Sequence, residues 1–440
     1  MTKKNKLAKT VKHIKSNESD KLDELDKSVK TIKSIDSLLF KGDHKEIKNN
    51  LINEINKIAN YCDTVIGEGY YGKVTLSAYG SNFQIKIGNE LVTLPIVIKE
   101  AKYSGSFSIS KIQNDLIIHC SEGITCEAII LYILSKSWYN GENIHMPLLL
   151  GIGRCNKNDG SFGISHMILE RCGLSERINI KKTKFIGSPS NLAFGENQQL
   201  LSFISNVGGL VDYLTFNMQN KMMCTLPNGE KIYVPEIIDN ICIFYLHTTH
   251  FLWEKYKLTL GDQSSGNIFI HWINEESRCG KIKLNNLKQI NYQINYHNDN
   301  KKKGQFIRIN TNGMIFKIGD VGISVMNPQN NVMLVGNLTN EENLEYIARY
   351  KHKCYSYWDF IFDVLRYIPM NVMTSTIIYK IIQKYDISTK YIPFVGVHER
   401  HIESMPSELE ILNDALYDKM KIKNISNDMD DSGTFTNYLI

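Results

Sequence analysis

The feature that most constrains this chain is a glycine-rich segment set between two β-type runs rather than between a strand and a helix. It reads Ile66-Gly67-Glu68-Gly69-Tyr70-Tyr71-Gly72-Lys73-Val74. Glycine lets other atoms approach its backbone closely, so such a turn can lie over a charged ligand with its N–H groups free to donate. A GxGxxG pattern alone is a weak signal. Here neither a helix nor an acidic residue follows in a βαβ unit, which argues against a dinucleotide-binding turn. Instead the β-type sequence continues through a connection near Gly80-Ser81-Asn82 to an apolar run, Ile96-Val97-Ile98-Lys99, that ends on a lysine.

Two more segments stand out far downstream, Leu260-Gly261-Asp262-Gln263-Ser264-Ser265-Gly266-Asn267 and Asp320-Val321-Gly322. Each segment is commonplace by itself: a strand-end lysine usually snorkels to water, and Asp-Val-Gly is usually a turn. Their fixed order, with hydrophobic strands between them, is the informative part. Asn267 and Asp320 are of the residue types that hold a hard cation through oxygen ligands.

Together the four segments resemble the protein kinase signature. Over about residues 60–395 the chain is similar to a divergent member of the protein kinase-like superfamily, closest in character to the serine/threonine kinases of large DNA viruses, including poxvirus-type and giant-virus enzymes. The resemblance implies an α+β, bilobal fold. It puts a small β-rich N-lobe at 60–173 and a larger helical C-lobe at 174–400, between a Lys-rich extension at 1–55 and a polar, loosely held tail at 401–440. It also implies ATP and Mg²⁺. Ile66, Gly67, Gly69, Gly72 and Val74 would cover the nucleotide, and Lys99 would hold its α- and β-phosphates. Glu127 would pair with Lys99, with Glu122 the alternative. The Glu170 carbonyl and Cys172 amide would face the adenine edge beside Leu169. Asn267 and Asp320 would hold Mg²⁺, and Asp262 would orient the acceptor hydroxyl and take its proton. Asp359, at the start of an amphipathic helix over 355–365, would tie down the catalytic loop.

The long spacing from Gly67 to Lys99 implies a hairpin extension, and insertions are expected at 174–207 and 274–313. The second should protrude as a hydrophilic loop that the chemistry does not need. Departures from the kinase pattern bear on activity. Leu260 and Gly261 replace the usual His and Arg, Ser264 replaces a lysine, Val321 replaces the Phe of DFG, and no Ala-Pro-Glu follows. Three functions therefore remain: a protein kinase acting on Ser/Thr hydroxyls, a small-molecule phosphotransferase of the aminoglycoside or choline kinase type, and a catalytically weak pseudokinase scaffold.

Composition sets the remaining bounds. With 440 residues, 42% hydrophobic and 22% charged, the chain has a globular profile and length for two lobes. The net charge is +5, with ten lysines in the first 35 residues. Such runs are usually solvated faces, so a nucleic-acid partner is not expected, whereas a protein substrate is, with virion or host proteins as partners if the viral likeness holds. The nine cysteines form no CxxC pair, and no apolar run approaches the ~18 residues of a membrane span. A cytoplasmic protein without a membrane span is the expectation.

Overall fold

The computed structural model describes residues 64–68, 72–76, 82–87, 90–101, 107–112, 115–120, 123–153, 166–170, 223–225, 231–261, 264–273, 275, 277–297, 300–329, 332–336, 354–368, 370–387, 405–423, 425, 429–430 and 433–437. Strands come in consecutive runs along this chain, with helices between the runs. The first part runs β1 (Thr64–Glu68), β2 (Gly72–Leu76), β3 (Asn82–Ile87), β4 (Glu90–Ala101), β5 (Phe107–Ile112), β6 (Asp115–Cys120), α1 (Gly123–Tyr139), β7 (Leu149–Gly153) and β8 (His166–Glu170). Next come β9 (Met223–Thr225), β10 (Lys231–Tyr233), α2 (Val234–Tyr256), β11 (Leu258–Leu260), β12 (Ile268–Trp272), β13 (Arg278–Cys279), β14 (Ile282–Lys283), β15 (Gln289–His297), β16 (Asn300–Asn310) and β17 (Met314–Ile318). The last group is β18 (Ser324–Gln329), β19 (Val332–Gly336), α3 (Cys354–Arg366), α4 (Met370–Met373), α5 (Ile377–Lys384), α6 (Glu408–Leu412), β20 (Lys421–Lys423), β21 (Met429–Asp430) and β22 (Thr434–Asn437).

The first sheet has the order β1-β2-β4-β8-β7, antiparallel throughout, and β3 pairs with the first half of β4. β4 is long enough to serve different partners at its two ends: Glu90–Pro95 meets β3, and the residues around Lys99 lie between β2 and β8. The hairpin extension expected before Lys99 is therefore present. A second sheet, β11-β18-β19-β6-β5, joins distant parts of the sequence, because β19 pairs in parallel with β6, which directly precedes α1.

α1 is apolar nearly all round, and a helix with that pattern is a buried one. Its C-terminus closes at Gly141, whose φ of 70° is easy only for glycine. The Gly141 amide donates to the Trp138 carbonyl and the Glu142 amide to that of Ser137, so the helix end is satisfied by a Schellman turn. α2 begins at Val234 with Pro235 in its first turn, where the ring's fixed φ suits the helix and the missing N–H is one the first turn cannot use. It is buried along most of its length, and α3 crosses it where Tyr245 stacks on Phe360 with ring centroids 3.8 Å apart. None of the described helices is long and apolar enough to cross a membrane.

Two expectations fail. Residues 274–313 are not a protruding loop: β15 and β16 form a hairpin with Ile290, Tyr292, Ile294, Phe306, Ile307 and Ile309 buried. In β15 the buried apolar residues alternate strictly with Asn and Gln, which are themselves buried at Asn291 and Gln293, and the Asn-rich composition hides the strand. Nor is 401–440 loosely held where it is described. Ser407 and Glu410 make a capping box at α6, and β22 adds in parallel to β15 with Phe435 1% exposed. Its polar residues are consumed internally, Thr436 by Asn291 and Asn437 by His145. The extension at 1–55 and the insertion at 174–207 lie outside the described residues.

Candidate active site

Lys99 lies late in β4, with Val74 of β2 directly opposite it in the ladder. The glycine hairpin is thereby held beside the lysine: Gly67 pairs with Val74 and Glu68 with Lys73, after a bulge between Val65 and Gly67. Ile66 and Gly67 lie on β1, and Gly72 and Val74 on β2. Gly69 lies outside the described residues.

The Lys99 Nζ donates to Glu127 Oε2 at 2.5 Å and to Asp320 Oδ1 at 3.3 Å. Glu127, in the second turn of α1, is 28 positions away in sequence, and Asp320 is 221. The three side chains differ sharply in exposure: Lys99 20%, Glu127 3% and Asp320 48%. A buried carboxylate is tolerated when paired, so this arrangement decides between a surface glutamate at a helix start and a partner for Lys99. Burial opposes the ammonium of Lys99, but the charges of Glu127 and Asp320 outweigh it and raise its pKa. Burial also pushes the Glu127 carboxyl up to about 7 against the pull of Lys99. Of the two partners Glu127 is the easier to discharge, because burial raises its carboxyl while two carboxylates hold the ammonium charged.

The remaining motif residues sit on two short ladders. β12 pairs with β17, placing Ile268 opposite Ile318, and the Gly319 amide donates to the Asn267 carbonyl at 2.8 Å. Asn267 and Asp320 thus leave adjacent strand ends. Asp320 has φ 46°, a left-handed backbone that a short polar side chain adopts more readily than most, and strain of this kind concentrates at functional sites. The amide oxygen of Asn267 and the carboxylate of Asp320 are hard oxygen donors of the kind Mg²⁺ takes, with water completing its shell.

Asp262 lies outside the described residues, but both of its flanks are fixed. On one side Leu260 pairs with Ser324 in the β11/β18 ladder, and the Gly261 amide donates to the Ser324 hydroxyl at 3.4 Å. On the other, the amide and hydroxyl of Ser265 both donate to Asp363 Oδ2, at 2.7 and 2.6 Å. This corrects the expectation for Asp359, which is exposed; the carboxylate that ties the loop to α3 is one turn further along. Both aspartates fit the helical spacing, and only the packing of α3 on the Ser265 turn selects between them.

Glu170 ends β8 as expected, yet its side chain has a use the sequence did not suggest. Its Oε2 accepts from Lys317 Nζ at 2.6 Å and from the Leu148 amide at 3.2 Å, with the lysine 2% and the glutamate 4% exposed. Lys317 is three residues before Asp320, so a buried ion pair joins the end of β8 to the Asp320 strand. The signal for it was a lysine in the middle of the apolar run Met314–Ile318. Leu169 is partly buried beside Glu170, and Cys172 lies outside the described residues. No protein-family model matches the chain, and no curated protein matches it.

Proposed function

We propose that this protein is a Mg²⁺-dependent kinase with a bilobal kinase-like fold, transferring the γ-phosphoryl of ATP to Ser/Thr hydroxyls of protein substrates. The observation that carries the reading is the convergence of Lys99, Glu127 and Asp320, because a structural lysine has no need of two carboxylates from remote elements. The antiparallel order β1-β2-β4-β8-β7, the glycine hairpin paired beside the lysine and the paired strands leading to Asn267 and Asp320 also favour it. The viral likeness suggests virion or host proteins as substrates and the cytoplasm or virion as the setting.

In this reading Lys99, oriented by Glu127, binds the α- and β-phosphates, and the glycine hairpin covers them with backbone N–H groups. Asn267 and Asp320 would hold Mg²⁺, which supplies neutralisation of the charge on the β- and γ-oxygens. Asp262 receives the proton of the acceptor hydroxyl, its loop held by Ser324 and Asp363. With Ser264 where serine/threonine kinases carry lysine, one cation near the γ-phosphate is lost, which favours a slow enzyme or a scaffold.

The test is a steady-state transfer assay beside a Mg-ATP titration on the wild type and Asp262→Asn. The reading requires turnover to fall by roughly two to four powers of ten in the variant, with ATP affinity within a few-fold. No transfer by the wild type to any protein acceptor, itself included, would overturn it: transfer to a small hydroxylated molecule would then favour the phosphotransferase, and no transfer at all the scaffold.

A further inference from the structure

The segment Arg278–Gly280 belongs to the stretch that looked dispensable, yet it touches both elements that carry the Lys99–Glu127 pair. Gly280 sits against the C-terminal end of α1. A Cβ there would lie 2.3 Å from the Tyr139 carbonyl oxygen and 2.9 Å from that of Trp138, and its φ of 56° disfavours any side chain. The thiol of Cys279, fully buried, lies 3.4 Å from both the Trp138 and the Asn143 carbonyl oxygens. On its other side the segment meets β4, where the Arg278 guanidinium donates to Glu90 Oε2 at 3.2 Å. Arg278 is 4% exposed, so its grip on Glu90 is set by packing rather than by a wandering surface chain. Lys283, just beyond, reaches the second oxygen of Glu90 at 3.2 Å.

A helix transmits displacement along its axis, and Glu127 lies three turns before the carbonyls that Gly280 abuts, roughly 18 Å away. At its other end α1 is anchored where the Cys126 thiol lies 4.0 Å from the Ser324 carbonyl oxygen and where β6 joins β19. Glu127 therefore sits on a rod fixed at both ends. The N-terminal fixation comes from the strand after Asp320, and the C-terminal one from the Arg278–Gly280 turn.

We propose that Arg278, Cys279 and Gly280 are positioning residues that brace α1 against β4 and so keep Glu127 in contact with Lys99. The inference rests on the kinase reading for its catalytic consequence but not for its geometry. Phosphate transfer depends on sub-ångström placement, so a shift of α1 by about 1 Å should cost on the order of 10²-fold in turnover.

The experiment combines two readouts on the full chain. Acylation of Lys99 by an amine-reactive ester, followed by peptide mass spectrometry, reports whether the lysine is sequestered by Glu127, and steady-state phosphate transfer reports the consequence. Gly280→Ala, checked for a native near-ultraviolet circular dichroism spectrum, should raise Lys99 acylation at least fivefold and lower turnover about 10²-fold. Arg278→Met keeps the buried stem, leaves Glu90 to water and is the variant that decides if Gly280→Ala does not fold; it should move both readouts the same way by about threefold or more. Folded variants with acylation and turnover within about twofold of wild type would overturn the brace. A wild type that transfers no phosphate would sink the kinase reading alone, because Lys99 acylation would still test the positioning.

Discussion

Replacing Lys99 by methionine tests the site at its centre, and the structure sets what should follow. The substitution keeps most of the apolar stem and removes the ammonium that Glu127 and Asp320 share. Asp320 is half exposed and returns to water, whereas Glu127, 3% exposed, is left without its counter-charge. It has an escape. Burial already places its carboxyl at about 7, and loss of Lys99 removes the influence that lowers it. Protonation near pH 7.5 then costs on the order of 1 kcal/mol or less. The fold should survive with a loss well below the ~3–5 kcal/mol of a stranded buried charge. Function should not survive: a charge-assisted phosphate contact contributes about 1.5–3 kcal/mol, so Mg-ATP affinity should fall roughly 10- to 100-fold. Transfer should fall by a further 10²–10³ if the same contact strengthens as charge develops. Isothermal titration with Mg-ATP, a transfer assay and urea unfolding on both proteins measure all three. Wild-type affinity and turnover in a folded Lys99→Met protein would refute the assignment.

The buried pair beneath the site gives a stability test: Lys317→Met should cost about 3–5 kcal/mol by urea unfolding, and adding Glu170→Gln should recover most of it, because the single change strands a carboxylate and the double one does not. Phe435→Ala should cost about 3–5 kcal/mol by the same measurement if β22 is part of the core, whereas less than about 1 kcal/mol would return the C-terminus to the status of a loose tail. His145 gives a pH dependence. Burial lowers its pKa to about 3, opposed by its bond to the Phe316 carbonyl, so below the ordinary 6.5 the unfolded chain takes up a proton that the folded chain refuses. Stability from this group is thus complete above pH 6.5 and falls on acidification by about 1.4 kcal/mol per pH unit. Unfolding free energies of His145→Phe should slope less steeply than wild type by that amount between pH 6 and 4; parallel slopes would show that His145 is charged in the fold.

The local elements of the site were legible in the sequence. The glycine hairpin, the strand ending near Lys99, the apolar helix of Glu127 and the loops of Asn267 and Asp320 each carry their own signal, because glycine, β-branched runs and apolar periodicity act within a few residues. The convergence of Lys99 with Glu127 and Asp320 could be inferred only through a resemblance, since no local rule joins positions 28 and 221 residues apart.

What tertiary structure alone decided is where polar residues were put to use inside. Asn291, Thr436 and Asn437 read as solvated in a polar composition, yet they are buried, Asn291 against Thr436 and Asn437 against the His145 ring, and a buried polar group is tolerated when so matched. The same physics chose Asp363 over Asp359, gave Lys317 its buried glutamate and turned the Arg278–Gly280 stretch from an apparent loop into the support of α1. Hydrophobic pattern is written along the chain and can be read from it. The pairing of a hydrogen-bonding group depends on which distant segment arrives opposite, and that is fixed only when the chain has folded.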